Sequence, residues 1–308
     1  MAATQTPTGI LLGTFTPGTP EWDEARAGLT ITATEIAAVM GLSPWMSPFS
    51  LWHKKSGLKT PPFEMSAPIE WGTRLEPAVA AKFEDEHPEY LARKTGTWRH
   101  TEREWQRATP DRLLAHRENG ASDGKPIRIG EVKTSPFGDG WGPSGSDEFP
   151  IHYRCQITWQ QDTLGLTEPA HLAVLIGGWD YREYVVPYDE ADAKTMRDAA
   201  EKFLDTVRNG QRPPIDGADA TYQTIRVQPD GLEDRDVEIP IEDAARYEIA
   251  QQQMAVVKTE LTAAKGVLLD HIGNGKRAVA CGRRIAYRTV RDGQTHSISP
   301  YTSKDTAA

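Results

Sequence analysis

Ile127-Arg128-Ile129-Gly130-Glu131-Val132-Lys133 is the stretch whose reading decides the fold. Its alternating apolar and polar residues predict a strand, and on a strand residues two apart share a face. Glu131 and Lys133 therefore lie side by side, with Ile127 and Ile129 further back along that face. Val132 points the other way, and its backbone carbonyl remains free to reach a cation. About twenty residues upstream, Thr109-Pro110-Asp111 ends one strand and turns into the next. An Asp at such a corner, beside a Glu and a Lys, can ligate Mg²⁺ through two carboxylates plus waters. The ammonium would then orient or stabilise groups at a reacting phosphate. Each piece alone is ordinary. A Glu-x-Lys triplet arises by chance about once in a few hundred residues, and an exposed charge pair on a strand is worth little.

Outward from this segment the chain reads as a strand meander. Thr97–Thr101, Trp105–Thr109, Arg112–Ala115 and Ile127–Thr134 have strand character, with turns at Glu118-Asn119-Gly120 and Asp123-Gly124. Upstream, Thr32-Ala33-Thr34-Glu35 has the form of a capping box opening a helix that runs to Met40. Ser47, Pro48 and Gly57 bound a second helix. A third covers Ile69 to Glu86, with Leu75, Val79 and Phe83 on its buried stripe and Pro77 inside it. Downstream come a helix from His152 to Leu164, strands at His171–Ile176 and Tyr181–Pro187, and a helix from Asp189 to Asn209 closed by Gly210. This order of elements predicts an α+β fold around one sheet core.

Residues 1–20, rich in Thr, Pro and Gly, read as a mobile arm. Pro213-Pro214 marks a boundary, so the core domain is expected over residues 21–212 and a C-terminal appendage over 213–308. The appendage reads as a short helix near Asp219–Val227, a strand at Asp236–Pro240, a polar helix from Ile241 to Ile272 and a β-hairpin. Tyr247, Met254, Val257 and Leu261 form a narrow stripe on that helix, which suits one packing partner or a coiled-coil seam. The hairpin, Arg277–Cys281 and Arg284–Val290, carries Lys276, Arg277, Arg283, Arg284, Arg288 and Arg291. A second basic run, Arg93, Lys94, Arg99, Arg103 and Arg107, is interleaved with Trp98 and Trp105. Either run can track phosphates.

Composition narrows the function classes. A net charge of −9 over 308 residues argues against a protein that simply coats nucleic acid. It remains compatible with an enzyme whose basic residues are focused where phosphates sit. Cys155 and Cys281 stand far apart without a Cys-x-x-Cys pair, against a disulfide framework, a zinc ribbon or an iron–sulfur cluster. No apolar run approaches the roughly 18 residues of a membrane span, and Met1 to Gly13 lacks the pattern of a signal peptide. A cytoplasmic location is expected, that of a bacterial host if the chain is phage-encoded.

Pro110-Asp111 followed by Glu131-Val132-Lys133 resembles the PD-(D/E)-x-K nuclease signature. The flanking blocks are more specific. Arg26-x-Gly28, Ile31-Thr32-Ala33-Thr34-Glu35-Ile36, Gly41-Leu42-Ser43-Pro44-Trp45 and Leu51-Trp52-x-Lys54-Lys55-x-Gly57 are similar to the opening of YqaJ-type viral recombination nucleases. Trp71-Gly72-x-x-Leu75-Glu76-Pro77 resembles their helix motif, and Tyr153-x-x-Gln156 their post-catalytic helix. The blocks keep the family's order across residues 22–210.

The resemblance implies a PD-(D/E)-x-K nuclease core, a central mixed β-sheet flanked by helices, with the helix and hairpin appended. It implies Asp111 and Glu131 as metal ligands, the Val132 carbonyl and Glu76 completing the metal site, Lys133 as the catalytic lysine and Gln156 as an organiser. Arg26 and Thr34 resemble the residues that hold a 5′-terminal phosphate, which an Arg fork beside a hydroxyl can do. The implied activity is Mg²⁺-dependent 5′→3′ digestion of double-stranded DNA, with Mn²⁺ able to substitute. The 3′ overhangs would serve a single-strand annealing protein in phage-type recombination. A toroidal homo-oligomer, a trimer, is implied as well, and no membrane partner. Two alternatives are a PD-(D/E)-x-K endonuclease and a nuclease-like DNA-binding or adaptor module without catalysis. The presence of Glu76, Asp111, Glu131 and Lys133 together argues against the second.

Overall fold

The computed structural model describes residues 6–117 and 124–301, so the turns expected at residues 118–120 and at Asp123 lie outside the described residues. The chain divides into two compact units, the first ending at Asp230 and the second beginning at Gly231.

The first unit opens with β1 (Gly9–Gly13), α1 (Pro20–Glu24), β2 (Ile31–Thr32), α2 (Ile36–Val39) and α3 (Pro48–Lys55). Next come α4 (Ala67–Glu86), β3 (Tyr90–Lys94), β4 (Thr97–His100), β5 (Gln106–Ala108), β6 (Arg112–His116) and β7 (Arg128–Ser135). α5 (Ile151–Leu164), β8 (Ala170–Ile176), β9 (Asp180–Val186), α6 (Glu190–Arg208) and α7 (Asp219–Arg226) complete it. The main sheet has five strands in the order β3-β6-β7-β8-β9. Only β7 and β8 pair in parallel, joined through α5, and the other neighbours are antiparallel. A four-stranded sheet, β1-β4-β5-β2, stands beside it. The fold is α+β with mixed sheets and flanking helices, as the order of elements predicts.

Alternation along β7 and β8 sends side chains to two different cores. On one face Ile129, Leu172, Val174 and Tyr184 pack with Ile157 and Leu164 of α5. On the other, Val132, Ala173 and Leu114 pack with Val79, Ala80 and Phe83 of α4. Strand β8 is covered on both faces, which is why His171–Ile176 is nearly all apolar. A third core joins α2, α3, α5 and α6 through Ile36, Leu51, Trp159, Met196 and Leu204. Trp159 is fully buried there, and its indole N–H donates to the Arg107 carbonyl at 3.1 Å.

The local signals for helix ends are largely met. Ser47 and Ser50 form a reciprocal cap on α3, the Asp189 carboxylate accepts from Ala191 and Asp192 N–H at 2.7 and 3.0 Å, and Gly165 closes α5 at φ +68°. Pro77 sits inside α4, which begins with Pro68 in its first turn and runs past Pro77 to Glu86. Of its expected stripe, Val79 and Phe83 are buried and Leu75 is half-buried.

Several expectations are corrected. Thr32 caps no helix: Ile31–Thr32 is strand β2, paired in parallel with β5. Half of the capping box survives, because a Glu35 oxygen accepts from Thr32 N–H at 3.0 Å, but the Thr32 hydroxyl turns to Thr34 and Arg26. Gly9–Gly13, expected within a mobile arm, pairs antiparallel with β4. Its Ile10, Leu11 and Leu12 side chains stay exposed, so backbone pairing along the β4 edge orders the segment, and local composition does not reveal that edge. Tyr90–Lys94 is likewise a strand, laid along β6. Ile127 precedes β7 and packs with the α4-side cluster rather than beside Ile129.

The boundary also moves. α7 packs on α3, with the Ser47 and Thr221 hydroxyls 2.6 Å apart and both buried, so the first unit runs past Pro213-Pro214 to Asp230. In the second unit α8 (Ile241–Ile272) is followed by β10 (Arg277–Ala280), β11 (Arg283–Arg291) and β12 (Gln294–Pro300). These make an antiparallel sheet of three strands rather than a hairpin. Leu268, Leu269 and Ile272 pack on Ala278, Ala286 and Ile298, while the stripe from Tyr247 to Leu261 is exposed. Asp236–Pro240 is not a strand. Its alternation has no neighbouring ladder to join, and a lone strand leaves its hydrogen bonds unmade.

Candidate active site

Strand β6 pairs with β7 only between Arg128 and Gly130, so the β7 edge beyond Gly130 is not covered by β6. Asp111, in the bend just before β6, fills that opening, and its Oδ2 accepts from Val132 N–H at 2.9 Å. Glu131 is 1% exposed and points to the α5 side of the sheet. Lys133 Nζ reaches its Oε1 at 2.5 Å. The Gln156 amide donates to the same oxygen, and the Gln160 amide donates to Oε2 at 3.1 Å. Gln156 and Gln160 are one turn apart on α5, so a single helix face grips the carboxylate from behind. The Tyr153 ring, on the same helix, lies 5.4 Å from Lys133 Nζ.

The electrostatics are those of crowded buried acids. Burial, reinforced by the Glu131 carboxylate, pushes the Asp111 pKa up to about 7. Burial opposes the Lys133 charge, but Glu131 and Asp111 outweigh it and leave its pKa above the ordinary value. Burial together with the Lys133 charge holds His152 down at about 4. Glu76, on α4, is placed differently from the other acids. It accepts from the Arg112 guanidinium at 3.0 Å and lies 3.7 Å from Lys94. Its charge still contributes, weakly, to the raised Asp111 pKa.

A second polar cluster forms where β2 meets β5. Arg26 donates to the Thr34 hydroxyl at 3.0 Å and to Thr32 at 3.5 Å, with its guanidinium 4.1 Å over the Trp22 ring. Glu35 is buried and takes Lys54 and Lys55 at 2.9 Å each. Although burial works to raise it, the two lysines bring the Glu35 pKa down to about 2. Burial lowers the Arg26 and Lys55 pKa values, with Glu35 opposing in both cases. Arg26, Glu35, Lys54 and Lys55 line a cleft of about 260 Å³ together with Trp22, Asp23 and Gly28.

Asp111, Glu131, Lys133 and Gln156 thus come together, and Arg26 and Thr34 form their own cluster. Reading the sequence missed Gln160, whose spacing from Gln156 is the one signal for it. It also left Lys54, Lys55 and Trp22 without a role. The basic run from Arg93 to Arg107 is not one face. Arg103 pairs with Asp162 at 3.1 Å, Arg99 with Glu104 at 3.0 Å, and Lys94 with Glu76.

Residues 21–166 match the sequence profile of the YqaJ-like viral recombinase domain. The chain is 29% identical over 213 residues to the uncharacterised protein YqaJ of Bacillus subtilis strain 168, across 67% of this chain and 62% of that protein. It therefore spans just under two thirds of that relative. Among solved structures it is similar to the alkaline exonuclease LHK-Exo of Laribacter hongkongensis, alone and in complex with dAMP. The TM-score is 0.47, with 18% identity, over 63% of this chain and 94% of that one. The matched segment contains both polar clusters from Arg26 to Gln160, while β8 and β9, which complete the main sheet, lie beyond it. Among the described residues no helix is long and apolar enough to cross a membrane.

Proposed function

We propose that this chain is a Mg²⁺-dependent exonuclease that digests one strand of double-stranded DNA from its 5′ end, leaving 3′ overhangs for an annealing partner. The observation that carries the reading is the convergence of Asp111, Glu131 and Lys133 at the open edge of β7, with Gln156 and Gln160 fixing Glu131. The donor set fits a hard divalent cation: two carboxylates stand close enough that burial and the Glu131 charge raise the Asp111 pKa to about 7 in spite of Lys133, and a divalent ion would relieve that crowding. Asp111, Glu131 and the Val132 carbonyl would hold Mg²⁺, with Glu76 swinging from Arg112 to join them. The ion would supply Lewis acidity at the phosphodiester and lower the pKa of the attacking water.

The protein's own groups do the rest. Lys133, charged and aimed at Glu131, holds the attacking water or a phosphate oxygen in line. The two glutamines keep the Glu131 carboxylate from rotating, and Tyr153 walls off the Lys133 ammonium on one side. Arg26 and Thr34, with Lys54 and Lys55 beside them, receive the terminal 5′-phosphate by charge-assisted hydrogen bonds. An apolar cleft of about 280 Å³ beside Thr134, lined by Trp71, Leu75 and Leu175, offers bases a stacking surface.

End-labelled linear duplex with 5′-phosphate or 5′-hydroxyl ends, with and without Mg²⁺, tests the proposal. Rapid Mg²⁺-dependent loss of mononucleotides from 5′-phosphorylated ends is expected. Internal nicking of closed circular DNA, or no cleavage with Mg²⁺ or Mn²⁺, would overturn it.

A further inference from the structure

On the α4 side of the main sheet, the face opposite Glu131, three metal-ligating side chains meet. His87 follows the last turn of α4, His171 sits on β8 and Glu183 on β9. One ligand atom from each lies within 4.8 Å of the other two, and among the described residues this is the one such group of His, Cys, Asp and Glu. His171 is 8% exposed and the other two are half-buried.

We infer that His87, His171 and Glu183 form a second cation site, selective for a borderline transition-metal ion of the Zn²⁺ class over Mg²⁺. Two imidazoles and one carboxylate are a common zinc donor set, whereas Mg²⁺ prefers oxygen alone. The outer contacts match those of a built site. His87 turns Nε2 toward Glu183 at 2.6 Å while its Nδ1 meets the Glu89 carboxylate at 3.1 Å. A carboxylate behind a histidine fixes the ring and raises its basicity as a ligand. The free oxygen of Glu183 is held by the Tyr181 hydroxyl at 2.5 Å, which locks that side chain in place. His171 is packed among Phe83, Tyr90 and His87, ring centroids 5.0–5.5 Å away.

One neighbour opposes a cation. Arg128 lies 3.4 Å from His171 Nε2, with its guanidinium 5.1 Å over Tyr90 and 3.5 Å from Glu168. Its pairing with Glu168 already draws part of that charge away from the cluster. Zn²⁺ bonds of about 2.0–2.2 Å set tetrahedral donors roughly 3.3 Å apart. His87 Nε2 and the Glu183 oxygen, now in a 2.6 Å hydrogen bond, must therefore part to admit the ion, while His171 turns toward them. The bound ion would tie the end of α4 to β8 and β9, in the helix that carries Glu76. The inference does not depend on the nuclease reading.

The test is Zn²⁺ binding to the full chain carrying Asp111→Asn and Glu131→Gln, which removes the other carboxylate site from the count. Titration calorimetry and metal analysis after dialysis should give one equivalent of Zn²⁺, unchanged by millimolar Mg²⁺, and a raised Tm. His171→Phe, which keeps the aromatic packing, should abolish that equivalent. Glu183→Gln should do the same, and it keeps the proposal testable if the Phe variant folds poorly. Glu89→Gln should weaken binding by about 10- to 100-fold. Absence of a stoichiometric Zn²⁺, or binding that survives both His171→Phe and Glu183→Gln, would show that the cluster is only a His–Glu ion pair.

Discussion

Replacing Asp111 by Asn removes one carboxylate from the proposed Mg²⁺ site while keeping an oxygen that can accept from Val132 N–H. Its effect on stability has a definite sign. Burial and Glu131 raise the Asp111 pKa from an ordinary 3.8 to about 7. As pH rises above about 4 the unfolded chain gives up this proton first, so folding becomes less favourable until about pH 7, where the folded protein loses it too. At about 1.4 kcal/mol per pH unit, the gap corresponds to on the order of 4 kcal/mol at pH 8. Side-chain relaxation around the ionised pair reduces that figure. The Asn variant, with no charge to bury, should therefore be more stable than the parent in EDTA at pH 8, by about 1–4 kcal/mol. Near pH 4 the two should be equal. Adding Mg²⁺ works against that advantage: at 100 times its Kd the ion should stabilise the parent by about 2.7 kcal/mol and leave the variant unmoved. Urea denaturation at pH 4 and pH 8, each with EDTA or Mg²⁺, reads all of these. An Asn variant that is the less stable protein at pH 8 in EDTA would refute the crowded-carboxylate reasoning. Equal Mg²⁺ stabilisation of both proteins would refute the ligand assignment. Digestion of duplex DNA should be lost in the variant at either pH.

Lys133→Ala should abolish turnover yet retain Mg²⁺ binding by calorimetry, and unchanged turnover would mean that the Glu131–Lys133 contact is only a structural ion pair. Arg26→Ala should erase most of the preference for 5′-phosphorylated ends, by about ten- to 150-fold in rate for one charged hydrogen bond, with Arg26→Lys rescuing in part. Equal rates of the parent enzyme on both end types would remove that anchor. Glu35, depressed from 4.5 to about 2, contributes stability that is present above about pH 4.5 and drains away as pH falls toward 2. Because burial also lowers Lys55, the pair is worth less than the roughly 3 kcal/mol that the Glu35 shift alone implies. Glu35→Gln should therefore flatten the acid limb of a Tm-versus-pH curve, and an unchanged limb would dismiss the pair. The chain should self-associate as a trimer, and removing residues 231–308 should leave that assembly intact. Light scattering that gives a monomer at micromolar concentration counts against a ring.

Some of this protein was legible because its physical cause is local. A strand alternates faces whatever surrounds it, so Glu131 and Lys133 had to emerge together, and Pro110-Asp111 had to sit at a corner. Gly165, Ser47 with Pro48, and Asp189 end or begin helices through their own backbone and side-chain chemistry, and each does so in the structure. The spacing of Val79 and Phe83 likewise placed the buried face of α4. Other features depend on what lies across a gap in the sequence. Thr32 joins a strand because β5 offers it a partner, against the capping box written in its own neighbourhood. Gly9–Gly13 is ordered by β4, and Asp236–Pro240, with the better alternation, finds no edge to join. Gln160 reaches Glu131 only because the β7–α5–β8 crossover lays α5 across that face of the sheet. The meeting of His87, His171 and Glu183 is the extreme case: three elements contribute one residue each, and no spacing in the chain announces them. Local sequence determined which residues stand at the open β7 edge. Tertiary packing alone decided which buried partners hold them, because long-range pairing and desolvation act between segments that are strangers in sequence.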